Sequence, residues 1–80
     1  MSEHHPPEQL LVSLWRRAIV HARIKLTSND LSPAQRDYLW QSIDCREWLI
    51  RLIAKDFEAE LELIDREIEA ELRPARRSSG

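Results

Sequence analysis

The stretch Trp48-Leu-Ile-Arg-Leu-Ile-Ala-Lys-Asp-Phe-Glu-Ala-Glu-Leu-Glu-Leu-Ile-Asp-Arg-Glu-Ile-Glu-Ala-Glu-Leu72 decides the fold class. Within it Ile50, Ala54, Phe57, Leu61, Ile64 and Ile68 recur at alternating steps of four and three, the seam of an amphipathic helix. No Gly or Pro interrupts the run before Pro74. The polar side is acidic: Asp56, Glu58, Glu60, Glu62, Asp65, Glu67, Glu69 and Glu71 stand there, with Arg66 the one base between Asp56 and Leu72. A helix of this kind needs apolar company along its seam, and the rest of the chain must supply it or leave it to a partner.

Upstream, the pattern extends back to Pro33. Leu31-Ser32-Pro33-Ala34-Gln35 is a helix start: Ser32 can cap, Pro33 suits the first helical position, and Gln35 completes a capping box. Trp40 and Ile43 continue the seam, with Glu47 as its one polar member. The expectation is therefore one helix from Pro33 to Leu72, about 60 Å long at 1.5 Å per residue. The competing expectation is a break near Asp44, where Asp44 and Glu47 have capping-box spacing and Ile43 and Trp48 sit at hydrophobic-staple positions.

Before that comes a loop, Thr27-Ser-Asn-Asp30, made of residues that bond their own backbone in turns. Ahead of it, Glu8 to Leu26 reads as a first helix with Val12, Trp15, Ile19, Ala22 and Leu26 on one face. Arg16, Arg17, Arg23 and Lys25 make its polar side basic. Such a helix can lie on phosphates, but four bases on a narrow face suit a simpler role, facing the acidic helix later in the chain.

These elements define an all-α protein, a helical hairpin or three-helix arrangement. Residues 1–7 are expected to form a flexible leader, 8–72 a single helical domain and 73–80 a disordered basic tail. Eighty residues are near the size at which one core is only marginally stable, and oligomerisation is a common remedy. The 42% apolar and 32% charged residues, with a single Gly, fit a helical globular chain. Cys45 is the sole cysteine, the N-terminal residues lack the apolar segment of a signal peptide, and no apolar run is long enough to span a bilayer. A cytoplasmic protein is the expectation.

The net charge of −2 conceals an asymmetry. Residues 1–55 hold eight bases against six acids, whereas residues 56–80 hold four bases against eight acids. A helix-turn-helix reading of Leu26 to Pro33 is the less favoured alternative, because the helix after the turn opens with one Arg against one Asp where groove readers carry several cations. Direct nucleic-acid binding is therefore not expected. Nor is catalysis: there is no Gly-rich phosphate loop, no spaced Cys/His set and no Glu-x-x-His of a di-metal bundle. The expectation is a non-enzymatic chain with no cofactor and no metal; adjacent His4 and His5 have poor ligand spacing.

Two readings remain: a structural or adaptor homodimer, whose acids only keep the helix soluble with Glu62–Arg66 and Glu69–Arg73 pairs at favourable spacing, and binding of another protein. An acidic helix can occupy sites built for nucleic-acid phosphate, since the partner's cations attract either, a device shared by small phage-type inhibitors such as anti-CRISPR proteins. The candidate partner-binding face is Asp56, Glu58, Glu60, Glu62, Asp65, Glu67 and Glu69. The candidate oligomer or partner seam is Trp48, Phe57, Leu61, Ile64, Ile68 and Leu72. A first helix of about 28 Å covers a second only to Ile50 or Ile53, so Leu61, Ile64, Ile68 and Leu72 are expected to lack cover in their own chain. That overhang implies a homodimer or an obligate protein partner with a basic surface. Trp15 and Trp40 should be buried between the helices, while Trp48, one step off the seam, is placed to dock a second subunit or partner.

Leu31-Ser32, Leu39-Trp40, Asp44 and Arg46 resemble the Leu-Ser, aromatic-pair, Asp-x-Arg stretch of the Hha-type modulators of nucleoid proteins, and Arg16-Arg17 is similar to an Arg pair upstream in that family. The resemblance implies a nucleoid-protein modulator in which Asp44 faces the partner. The loop distance from the Arg pair differs from that family, and the acidic stretch after Phe57 departs from it.

Overall fold

The computed structural model describes residues 7–73, and within them three α-helices and no strand: α1 Pro7–Lys25, α2 Pro33–Ile53 and α3 Phe57–Leu72. Apart from Pro7 and Arg73, the leader and the basic tail expected from the sequence lie outside the described residues. Pro7 is the first residue of α1, where its missing N–H and fixed φ cost nothing.

The α1–α2 connection is built as its residues dictate. Thr27 Oγ1 donates to the Ile24 carbonyl at 2.7 Å, and the Asp30 N–H donates to Ser28 Oγ at 3.1 Å. The Arg36 guanidinium reaches back from α2 to the Leu26 and Ser28 carbonyls at 3.3 and 3.0 Å, holding the loop to the helix that follows it. The capping box is complete: the Gln35 N–H donates to Ser32 Oγ at 3.1 Å and the Ser32 N–H donates to Gln35 Oε1 at 2.8 Å. A short loop between two such helices makes an antiparallel hairpin.

After this start α2 does not run on to Leu72. It ends at Ile53, and Ala54 is extended at φ −72°, ψ 144°. Asp56 then caps α3, its carboxylate accepting from the Ala59 N–H at 3.2 Å. Both sequence expectations for this region are thus corrected: there is no single long helix, and the break falls at Ala54–Asp56 rather than near Asp44, which lies mid-helix. The physical reason is cover. A continuous rod would carry Leu61, Ile64 and Ile68 past the end of α1. Breaking it forfeits a few helical hydrogen bonds at about 1 kcal/mol net each, and the Asp56 cap restores one of them. Burying the three side chains is worth up to about 1.5–3 kcal/mol apiece. Burial wins.

α3 therefore turns back along α1, with Glu60 beside Arg16 and Asp65 to Leu72 beside Arg23. The three helices run up, down and up, α1 packing against both others while α2 and α3 meet little. The core is Val12, Ile19, Val20 and Ala22 of α1, Ile43 and Ile50 of α2, and Ile64 of α3. Trp15, Leu39, Ile53, Phe57, Leu61 and Ile68 are half-buried around it. Ile64 is 1% exposed, so the expected lack of cover for Leu61, Ile64 and Ile68 is corrected: their own α1 supplies it. Leu72 alone of that group is exposed. Trp40 is also corrected, being 49% exposed rather than buried, because Ile43 and Ile50 aim at α1 while Trp40 stands to one side of them.

Candidate interaction surface

The acidic residues fall into two sets once α3 is docked. Glu60 and Glu67 turn toward α1. Arg16 Nη1 meets Glu60 Oε1 at 2.5 Å, with both side chains about four-fifths buried. Glu67 lies 3.9 Å from both Arg16 Nε and Arg17 Nη1. Arg16 Nε is itself buried with no hydrogen-bond partner, so Glu67 serves it only at Coulomb range. Two members of the expected partner face are thus engaged inside the chain, by the basic helix that the sequence pairs with them.

The second set is Glu58, Glu62, Asp65 and Glu69, at steps of four, three and four, all exposed. This spacing aligns them as one exposed stripe flanking the packed seam of α3, with Asp65 and Glu69 lining the same cleft as Arg23 of α1. None of the four belongs to an ion pair among the described residues; the Glu62–Arg66 and Glu69–Arg73 pairs that helical spacing permits do not form. Asp56, the remaining member, is occupied as the cap of α3.

Glu47 sits where the three helices approach one another. Its carboxyl is pushed above the usual glutamate range, first by burial, then by the nearby charges of Asp44 and of Asp65 on α3, with Arg23 of α1 pulling the other way. It is the polar member of an otherwise apolar seam, and the sequence pattern places it there. Across the α2–α3 break, the Arg51 guanidinium stands over the Phe57 ring at 5.4 Å from its centroid. The spacing of the apolar residues gave no sign of that contact, since it depends on the fold-back.

A cleft between the start of α1 and the α2–α3 turn is lined by Glu8, Leu10, Arg16, Lys55, Asp56 and Glu60 among others. Both charge signs line it, so it favours neither cationic nor anionic ligands. Among the described residues no group of three or more His, Cys, Asp or Glu side chains is placed to hold a metal ion. No helix among the described residues is long and apolar enough to cross a membrane.

Of the expected seam, Phe57, Leu61, Ile64 and Ile68 are packed inside the chain, whereas Trp48 and Leu72 remain outside. Trp48 is 60% exposed and belongs to a row that the acidic stretch drew attention away from. Tyr38, Cys45, Trp48 and Leu52, all exposed, follow one another along the outer side of α2.

No protein-family model, curated protein or solved structure matches this chain. The Leu31–Arg46 pattern that resembles the Hha-type modulators therefore carries no family assignment, and function is read from the surface itself.

Proposed function

We propose that this chain is a non-enzymatic protein–protein interaction module that presents the exposed acidic stripe of α3, Glu58, Glu62, Asp65 and Glu69, to a basic and phosphate-recognising surface of a larger protein. The supporting observation is the alignment. Like charges at i, i+4 cost an isolated helix about 0.2–0.5 kcal/mol per pair. Keeping a helix wet requires charge, but it does not require four carboxylates in one unbroken row with no ion pair along it. Arg23 and Arg73 stand near its Asp65–Glu69 end without pairing; a cationic groove would supply counter-charge along the whole row, which would then set orientation and association rate more than raw affinity. The same chemistry makes the chain a regulator or inhibitor of whatever binds phosphate in that groove.

The test uses the full chain as bait in host lysate, beside a variant carrying Glu62→Lys and Glu69→Lys. The expected result is a protein captured by the unaltered chain, lost on charge reversal, released by added salt and competed away by double-stranded DNA or heparin. Capture that is indifferent to charge reversal and to polyanion would overturn the proposal.

A further inference from the structure

We propose that two copies of this chain pack antiparallel through the outward side of α2. This interface is independent of the α3 stripe. Tyr38, Gln41, Cys45, Trp48 and Leu52 recur at steps of three, four, three and four, the seam of a coiled coil. Ile43 and Ile50 point the opposite way, into the core, so the seam lies diametrically across α2 from its packing against α1. Tyr38 is 71% exposed and Leu52 is 61% exposed. A helix already buried on one side thus carries a second, complete seam on the other.

Charge selects a second copy as the occupant. The positions flanking the seam on one side are Asp37, Asp44 and Arg51, seven residues apart, and on the other Ser42 and Leu49. In a parallel pair these two flanks face each other and no charges meet. In an antiparallel pair each flank faces its own kind. With the two-fold axis between Arg46 and Glu47, Asp44 of each copy faces Arg51 of the other, twice over. Trp48 then packs against Cys45 of the second copy, and Leu52 against Gln41. Shifting the register by one heptad would set Asp44 against Asp44 while pairing Asp37 with Arg51, so the first register, with two attractive contacts and no repulsive one, is the one the charges favour.

Sedimentation velocity and light scattering over a dilution series of the full chain test this. The particle should be twice 9.5 kDa and dissociate on dilution. Trp48→Lys should give a folded monomer, with helical circular dichroism retained because Trp48 lies outside the core. Asp44→Arg alone and Arg51→Asp alone should each weaken the dimer by about tenfold. The double exchange should restore it to within about threefold, and Asp37→Arg should leave it unchanged. A 9.5 kDa particle at every concentration overturns the proposal, as does a dimer indifferent to Trp48→Lys. Failure of the double exchange to restore association overturns the antiparallel register. Trp48→Lys and Asp44→Arg alter α2 alone, and Arg51→Asp removes only the stack on Phe57 at the start of α3. None of them changes a residue of the acidic stripe, so a failure here leaves that reading standing, and the converse holds.

Discussion

Glu47 is held half-buried between Arg23, Asp44 and Asp65, and it is easier to protonate in the folded chain than in the unfolded one. The sign follows from that. Below the ordinary glutamate range both states carry the proton and Glu47 takes nothing from stability. As the pH rises through the raised value, the folded state must accept a carboxylate it disfavours, and stability is lost. Glu47→Gln should therefore raise the melting temperature at pH 7, and its advantage over the unaltered chain should vanish as the pH falls through the ordinary carboxylate range. Thermal melts of both proteins across that window check it; an advantage that grew toward acid would contradict the assigned cause. Arg16 and Glu60 behave differently, since each is the other's counter-charge. Arg16→Met should cost about 1–3 kcal/mol because it leaves Glu60 half-buried and unpaired. Arg16→Met with Glu60→Met should cost less than the two single changes summed, since a buried pair replaced by apolar side chains is close to neutral. Chemical denaturation of the full double-mutant cycle measures that coupling.

At the level of helices, the sequence is most legible where a turn is chemically marked. Thr27 to Gln35 carries the turn and capping cues, and the Thr27, Ser28, Ser32 and Gln35 side chains make the expected bonds, whereas the hold of Arg36 on the loop is not marked there. The second turn carries almost none. Ala54 and Lys55 are good helix residues, and the seam continues through Ala54 and Phe57 without a fault in phase. Asp56 is the one residue there that favours a cap, and it lacks the Glu or Gln three residues later that would mark a capping box. What ends α2 is the length of α1 beside it, a tertiary cause that local pattern does not record. The same gap hid that Glu60 and Glu67 leave the candidate surface, because which acids turn inward depends on the fold-back. The basic first helix was still a fair signal that some would. Asp56→Ala should cost about 0.5–2 kcal/mol, as loss of an N-cap does. If the turn were instead dictated locally by Asp56, the variant would straighten α2 and α3 into one rod, and small-angle scattering would show a longer particle at unchanged helix content.

For the molecule as a whole, α1 is the element that both others need. Of the seven buried among the described residues, four lie on α1, two on α2 and only Ile64 on α3. α2 and α3 scarcely touch, so α3 is secured on one side, by Ile64, Leu61 and Ile68 and by the Arg16–Glu60 pair. An element with few buried contacts opens at a lower free energy than the body it docks on. Amide hydrogen exchange should therefore protect Val12–Ala22 and Ile43–Ile50 most strongly, with α3 exchanging faster through openings that leave the α1–α2 hairpin closed. Arg16→Met should widen that difference by loosening α3 alone. Ile64→Lys should abolish α3 protection outright, since it places an unpaired charge at the one fully buried position the helix owns. Equal protection across all three helices, or loss of hairpin protection in step with α3 in the Arg16→Met protein, would show that the chain opens as a single unit. It would also remove the basis for treating α3 as an element that can adjust its acidic face to a partner while the α2 seam stays fixed.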